Sequence, residues 1–101
     1  MITEKRVSEK LKELGVNPKY LGFDYITTAI LLIAEDESYK HRITTTKGLY
    51  ATVAKEHNTT ALRAEKSMRY VIQNKVNDPE LSLMTNGAFL SALYERLKYE
   101  E

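Results

Sequence analysis

The sequence has no cysteine and only two histidines among its 101 residues. Without cysteine there is neither a disulfide framework nor thiolate chemistry, and two histidines alone do not make a structural zinc site. The longest apolar run, residues 29–34, is far too short to cross a membrane. The first ten residues have no apolar stretch behind their charges and so do not form a signal peptide. We therefore expect a cytoplasmic protein with no cofactor and no membrane partner.

Period-two alternation of apolar and polar residues is also missing, so no strand is predicted. Apolar residues instead recur at helical spacing throughout the chain. Hydrophobic content of 43% and charged content of 29% are ordinary for a globular domain. We predict a single all-α domain over residues 1–101, a compact bundle of about five to six helices that contains a helix-turn-helix.

Helix boundaries follow from capping residues and from the two prolines. Threonine at positions 44–46 is predicted to cap the third helix, and Pro79 to end the fourth. Residues 38–46 are predicted as a loop or short strand. The acidic residues 35–37 oppose the helix dipole at the end of the second helix, where fraying is expected. The predicted helices span residues 3–14, 22–35, 47–57, 60–76 and 87–98, with single turns near Pro18 and at 79–84.

Residues 49–73 have the pattern of two helices joined by a tight polar turn. Asn58 suits the left-handed conformation that ends a helix, and Thr59 or Thr60 can cap the next one. A small residue, Ala54, stands where the two helices would cross closely. His57 departs from the pattern, because a large apolar residue is usual there. The arrangement predicts a helix-turn-helix, whose second helix enters the major groove of DNA.

Positive charge is concentrated around the same stretch. Residues 40–75 contain eight Lys and Arg against two Glu, a net charge of +6, whereas the whole chain is +1 and the remainder is therefore −5. A cationic region on a nearly neutral protein favours a polyanionic partner. Chance clustering on a highly charged surface is the alternative explanation.

Residues 43–73, ITTTKGLYATVAKEHNTTALRAEKSMRYVIQ, resemble the DNA-binding effector domain of the sporulation response regulator stage zero sporulation protein A. Similarity extends over roughly residues 7–98, including the segment from Gly22 to Tyr25. The resemblance implies a six-helix domain that binds duplex DNA and controls transcription. We expect no receiver domain before it, so phosphorylation is not expected to switch it in cis.

The resemblance also implies roles for individual residues. In the family, a Glu followed by an Arg recognises base edges, and the corresponding pair here is Glu65 and Lys66. Glu65 would accept from cytosine and Lys66 would donate to guanine. Lysine offers a point donor and not the fork of arginine, so the family's target sequence does not transfer directly. The remaining expected DNA contacts, mainly to phosphate, are Lys47, Thr59, Thr60, Arg63, Arg69 and Tyr70.

Two further partners are implied and one other function stays open. A single helix-turn-helix recognises about half a site, so a homodimer on DNA is expected, and RNA polymerase is a second expected partner. Residues 77–86 are shorter than in the family, which weakens the polymerase expectation. The alternative function is a helical protein-interaction or antagonist domain with weak, sequence-blind DNA binding. An enzyme is not expected, because His41 and His57 have no catalytic partners at a useful spacing.

Overall fold

The computed structural model covers residues 1–101 and contains helices and turns but no strand. The predicted all-α fold class is therefore confirmed. None of the helices combines the length and the apolar character that a membrane crossing requires. In chain order the helices are α1 (Glu4–Glu13), α2 (Leu21–Glu35), a 3-10 helix (Glu37–His41), α3 (Leu49–Glu56), α4 (Ala61–Lys75), α5 (Pro79–Ser82) and α6 (Asn86–Tyr99).

Helix α2 is the centre of the molecule. Its sequence is apolar on most sides, and nine of its fifteen residues are buried. A helix of this kind must pack against neighbours in several directions, and α2 contacts α1, α3, α4, α6 and the 3-10 helix. These helices share one hydrophobic cluster of 25 buried residues. One continuous core therefore fixes α3 and α4 relative to the rest of the domain.

Side-chain caps begin four of the six α-helices. Thr3, Thr60 and Thr85 each accept a hydrogen bond from the backbone N–H three residues ahead, and Thr60 is one of the two caps predicted for α4. Asp78 accepts from the N–H groups of Glu80 and Leu81 at the start of α5. Such a cap stabilises a helix by about 1 kcal/mol relative to alanine.

The start of α3 differs from its prediction. No threonine caps it, and the helix begins at Leu49 with Gly48 as the uncapped residue before it. The chain folds back so that the Leu49 N–H donates to the Arg42 carbonyl at 2.9 Å and the Tyr50 N–H donates to the Ile43 carbonyl at 3.0 Å. A Cβ on residue 48 would lie 2.0 Å from the Arg42 carbonyl oxygen. Backbone carbonyls thus replace the predicted threonine cap, and only glycine fits this close approach.

Residues 37–41 form a 3-10 helix where a loop or short strand was predicted, whereas residues 42–46 are a loop, as predicted. Asp36 caps it, accepting from the Ser38 N–H at 3.0 Å. The Arg42 guanidinium stacks 3.9 Å from the centre of the Tyr39 ring and donates to the Lys47 carbonyl at 2.6 Å. The acidic run after α2 is therefore part of ordered structure, because its first aspartate caps the next helix.

Candidate nucleic-acid interface

The turn between α3 and α4 is built by Asn58. Its φ of 54° is the one positive value at a non-glycine residue in the protein. The Asn58 N–H donates to the Lys55 carbonyl at 3.4 Å, and the Thr59 N–H donates to the Ala54 carbonyl at 2.9 Å. This pair of bonds is the Schellman arrangement, with asparagine in the left-handed position. The predicted conformation of Asn58 is confirmed, and the order of helix, turn and helix is consistent with a helix-turn-helix.

Helix α4 has a buried face and a broad exposed face. Ala64, Met68, Val71 and Ile72 are buried against the core. Lys66 lies almost opposite to them, because successive residues of an α-helix are rotated by about 100°. At fifteen residues the helix is about 22 Å long, enough to lie along a major groove. The exposed side chains are Leu62, Arg63, Lys66, Arg69, Tyr70, Gln73 and Asn74.

Glu65 and Arg69 are paired on one flank of the exposed face. Their carboxylate and guanidinium lie 3.1 Å apart, and the Glu65 side chain is only 25% exposed. The Glu65 carbonyl accepts a hydrogen bond at 3.0 Å from the side-chain amide of Asn86, which is buried at the start of α6. The two residues, predicted to make separate DNA contacts, therefore form an ion pair anchored to α6.

The remaining predicted contact residues lie around the turn and on the other flank. Thr60 caps α4 through its hydroxyl, which accepts from the Arg63 N–H at 3.2 Å. Thr59 is half-buried in the turn, and Tyr70 is half-exposed on α4. Lys47 is exposed in the turn before α3, where its carbonyl is held by Arg42. All but Lys47 thus lie on α4 or in the turn that leads into it.

The cationic side chains of the protein fall into two groups, those with an ion pair and those without one. Eight of the fifteen Lys and Arg side chains lie within 4.0 Å of a carboxylate, most of them on α1, α6 and the 3-10 helix. Five of the seven others fall between positions 47 and 75. Uncompensated positive charge is therefore concentrated between positions 47 and 75, where Arg63, Lys66 and Lys75 lie on α4 and Lys55 lies near the end of α3. The seven side chains without an ion pair are Lys12, Lys19, Lys47, Lys55, Arg63, Lys66 and Lys75.

A groove of about 800 Å³ runs along the Glu65 flank of α4, between this helix and the segment that joins α5 to α6. Leu62 and Leu83 line it and are 62% and 88% exposed. Tyr50 forms part of its floor, and burial raises the pKa of this phenol above its usual value. We call this feature the Leu62–Leu83 groove.

His57 has a structural environment. Its Nε2 lies 2.6 Å from the Thr28 hydroxyl, and its ring meets the Tyr25 ring edge-on with centroids 5.0 Å apart. It thus fills the position where an apolar residue was expected, by packing between α2 and the turn. The structure contains no group of three or more His, Asp or Glu side chains placed to hold a metal ion.

Sequence reasoning missed Asn86 and the surroundings of Tyr70. The bond from Asn86 to the Glu65 carbonyl spans 21 positions, so no local pattern indicates it. Tyr20 and Lys75 also went unassigned, although both lie against Tyr70. The signal that would have found Lys75 is its charge at the end of the cationic segment.

The family comparison agrees with this geometry. The family model described as "Sporulation initiation factor Spo0A C terminal" matches residues 7–93, which include α2, α3, α4 and the turn between the last two. The match covers most of the chain and the whole of the cationic helical hairpin. The chain belongs to this family, the C-terminal DNA-binding domains of the sporulation initiation factor Spo0A.

Proposed function

We propose that this domain binds duplex DNA in a sequence-specific manner and regulates transcription, with α4 in the major groove. The observation that carries the proposal is the concentration of cations without an ion pair between positions 47 and 75, three of which lie on α4. A cation without a carboxylate partner is available to replace the counterions of a phosphate backbone. The family already makes DNA the partner, and the three cations without an ion pair on α4 support this helix as the one that contacts it.

Lys66 is the proposed centre of base recognition. It is exposed, has no ion pair, and lies opposite the buried face of α4. Its ammonium group can donate to the O6 and N7 acceptors that guanine presents in the major groove. Glu65 lies one position earlier and toward the flank, where a cytosine amino group on the opposite strand is a suitable donor.

Phosphate contacts are proposed for the residues that surround Lys66. Arg63 and Arg69 extend from α4 on opposite flanks, while Thr59 and Thr60 lie at its first turn. Phosphate contacts fix the position of a recognition helix and carry no direct sequence information. Tyr70 and Lys47 complete the proposed set.

We also propose a domain organisation, an oligomeric state on DNA and a protein partner. Residues 1–101 act as one effector domain, two copies bind adjacent half-sites as a homodimer on DNA, and RNA polymerase is the partner through which transcription is controlled. One recognition helix spans only about half of a typical operator, which supports the dimer.

A protein-interaction domain is the second candidate function. The Leu62–Leu83 groove favours it, because Leu83 is 88% exposed and Leu62 is 62% exposed. Such a domain would bind DNA weakly, with equal affinity for all sequences. The two functions therefore differ in the ratio of affinities for selected and random DNA.

Selection from a randomised duplex pool tests the proposal. Wild-type protein and the Lys66→Ala variant are each used for repeated selection and sequencing at two salt concentrations. We expect wild type to enrich one short motif that contains guanine, and Lys66→Ala to enrich a motif degenerate at that guanine. Lys5→Ala, which removes an exposed cation from α1, should enrich the wild-type motif. An unenriched wild-type pool would refute sequence specificity.

A further inference from the structure

A cluster of tyrosines and lysines lies beside α4, on the flank away from the Leu62–Leu83 groove. The rings of Tyr20 and Tyr70 meet with centroids 6.2 Å apart. The Lys75 ammonium lies 5.2 Å from the Tyr20 centroid and 5.8 Å from the Tyr70 centroid. The Lys19 ammonium lies 5.3 Å from the Tyr20 centroid. We call Lys19, Tyr20, Tyr70 and Lys75 the tyrosine–lysine cluster.

The first turn of α2 packs against the middle of α4, and this contact determines the position of the cluster. A Cβ on Gly22 would lie 2.4 Å from the Ser67 carbonyl oxygen, so only glycine permits the contact. The turn before α2 is held by Asn17, whose side chain accepts from the Lys19 N–H at 2.9 Å. Lys19 and Tyr20 are therefore held at a defined position next to Tyr70.

Positive charge in the cluster is not compensated by any acid. Neither Lys19 nor Lys75 lies within 4.0 Å of a carboxylate, whereas most cations elsewhere in the protein do. Both ammonium groups face the same Tyr20 ring. Like charges near one ring repel each other, so an anion bound beside the cluster would reduce this repulsion.

The cluster also has the shape and donors of an anion site. A depression of about 340 Å³ is lined by Lys19, Tyr20, Lys66 and Tyr70, so it is continuous with the proposed base-contacting residue. The Lys19 and Lys66 ammonium groups and the two phenol hydroxyls line it and can donate to phosphate oxygens, and the Lys75 ammonium adds a further donor against both tyrosine rings. A hydrogen bond with the Tyr20 hydroxyl is the main cause that raises the pKa of Lys75 above its usual value.

We propose that the tyrosine–lysine cluster binds backbone phosphates of the DNA strand that borders α4 on the side of α2. This inference rests on the proposed function, since it requires α4 in the major groove. A helix in that groove has a phosphate backbone on each side. Arg69 lies on one flank of α4 and the tyrosine–lysine cluster lies on the other, so the two contact different DNA strands. The DNA footprint thus includes Lys19, Tyr20 and Lys75, which lie outside the two helices and the turn of residues 49–73.

Salt titrations of binding to the selected duplex and to a scrambled duplex test this contact. The variants are Lys19→Ala, Lys75→Ala and Lys75→Gln, of which the last keeps most of the aliphatic stem against the tyrosines. Each lost phosphate contact should lower the slope of log K against log salt by about 0.9. Affinity should fall by the same factor on both duplexes, so that their ratio is unchanged. Lys5→Ala is the matched control and should keep the wild-type slope.

Neutral methylphosphonate linkages locate the contact. They are introduced one at a time along each strand of the selected duplex. For wild type we expect weaker binding at positions on both strands. Binding by Lys19→Ala and Lys75→Ala should no longer be weakened by methylphosphonates at certain positions of one strand only. Binding by Arg69→Ala should no longer be weakened at positions of the other strand. Loss of sensitivity on the same strand for all three variants would overturn the two-flank assignment.

The outcomes separate this inference from the proposed function. If wild type binds the selected duplex but the Lys19 and Lys75 variants titrate like Lys5→Ala, the inference alone is overturned. If wild type binds no duplex, both this inference and the proposed function are wrong. If inorganic phosphate at matched ionic strength saturates the cluster while these variants leave DNA affinity unchanged, the occupant is a free anion and the DNA assignment is wrong.

Discussion

The carboxylate of Glu65 lies 3.1 Å from the guanidinium of Arg69, one helical turn further along α4. An exposed pair of this kind contributes little to stability, typically below about 1 kcal/mol. Its importance is for binding, because the carboxylate weakens the attraction between the Arg69 guanidinium and phosphate. Asn86 holds the backbone of Glu65 from α6 at the same time. The base-contacting part of α4 is therefore connected to the last helix.

Removing the charge of Glu65 should strengthen non-specific binding. In Glu65→Gln the Arg69 guanidinium no longer shares its charge with a carboxylate and should hold its phosphate contact more strongly, so affinity for a scrambled duplex should rise. Discrimination between the selected and scrambled duplexes should fall, because the amide no longer prefers a cytosine donor. Titration of both duplexes measures the two effects. Glu9→Gln, which removes an exposed carboxylate on α1, is the matched control and should change neither.

Arg69→Ala should weaken binding to every duplex. We expect the slope of log K against log salt to fall by about one, with the ratio of selected to scrambled affinity kept. This behaviour is opposite to that of Lys66→Ala, in which the ratio should fall. Titration at four or more salt concentrations distinguishes them. A fall in the ratio of selected to scrambled affinity in Arg69→Ala would show that this arginine contacts bases and not phosphate.

Asn58 should tolerate glycine but not alanine. Its φ of 54° lies in the left-handed region, which costs an alanine about 1 kcal/mol. We therefore expect Asn58→Ala to lower the free energy of unfolding by about that amount and Asn58→Gly to leave it nearly unchanged. Urea unfolding followed by circular dichroism measures both variants. Equal stability of the two would contradict the left-handed assignment.

Gly48→Ala should destabilise the approach to α3. The added Cβ would stand 2.0 Å from the Arg42 carbonyl oxygen, which accepts from the Leu49 N–H. Relief of this overlap must displace the carbonyl and stretch that bond, at a cost of about 2 kcal/mol in unfolding free energy. Thr46→Ala in the same exposed turn is the control. Similar unfolding midpoints for both variants would refute the close approach.

The bond between Glu37 and Tyr94 should make stability depend on pH. Tyr94 donates to Glu37 at 2.7 Å, and this bond is the main cause that lowers the Glu37 pKa from its usual 4.5. Because the folded pKa is depressed, the contribution is complete above the unfolded pKa and is lost as pH falls through the folded value. Unfolding free energy should therefore decrease below about pH 4.5, and less steeply in Glu37→Gln.

The same bond raises the pKa of Tyr94 from its usual 10.0. A raised folded pKa gives stability that is present below pH 10.0 and is lost as pH rises through the folded value. Tyr94→Phe should flatten the stability profile at both ends. Glu35→Gln, which removes a nearby exposed carboxylate without an ion pair, is the control and should keep the wild-type profile.

Local patterns predicted the helices and the turn well, because their signals lie within a few residues. Thr60 as a cap and Asn58 as a left-handed residue are examples, since each acts on backbone groups of its immediate neighbours. The start of α3 could not be predicted, because its cap is the Arg42 carbonyl, and every residue has a carbonyl. Backbone groups carry no sequence signature.

The parts of the site that could not be predicted depend on contacts between distant residues. Asn86 reaches Glu65 across 21 positions, and Tyr20 meets Tyr70 across 50. Neither spacing follows a helical period, and both depend on how α2 and α6 pack against α4. The sequence indicated which helix carries the charge, whereas the packing determined which side chains flank it.

The most direct measurement replaces guanine by 7-deazaguanine in the selected duplex. This change removes the N7 acceptor from the major groove and leaves the phosphates and the minor groove unaltered. We predict that wild type binds the modified duplex several-fold more weakly, because the lost binding free energy lies within the roughly 1–3 kcal/mol of a specific base contact. Lys66→Ala should bind both duplexes equally. Equal binding of the two duplexes by wild type would contradict recognition of guanine in the major groove by α4.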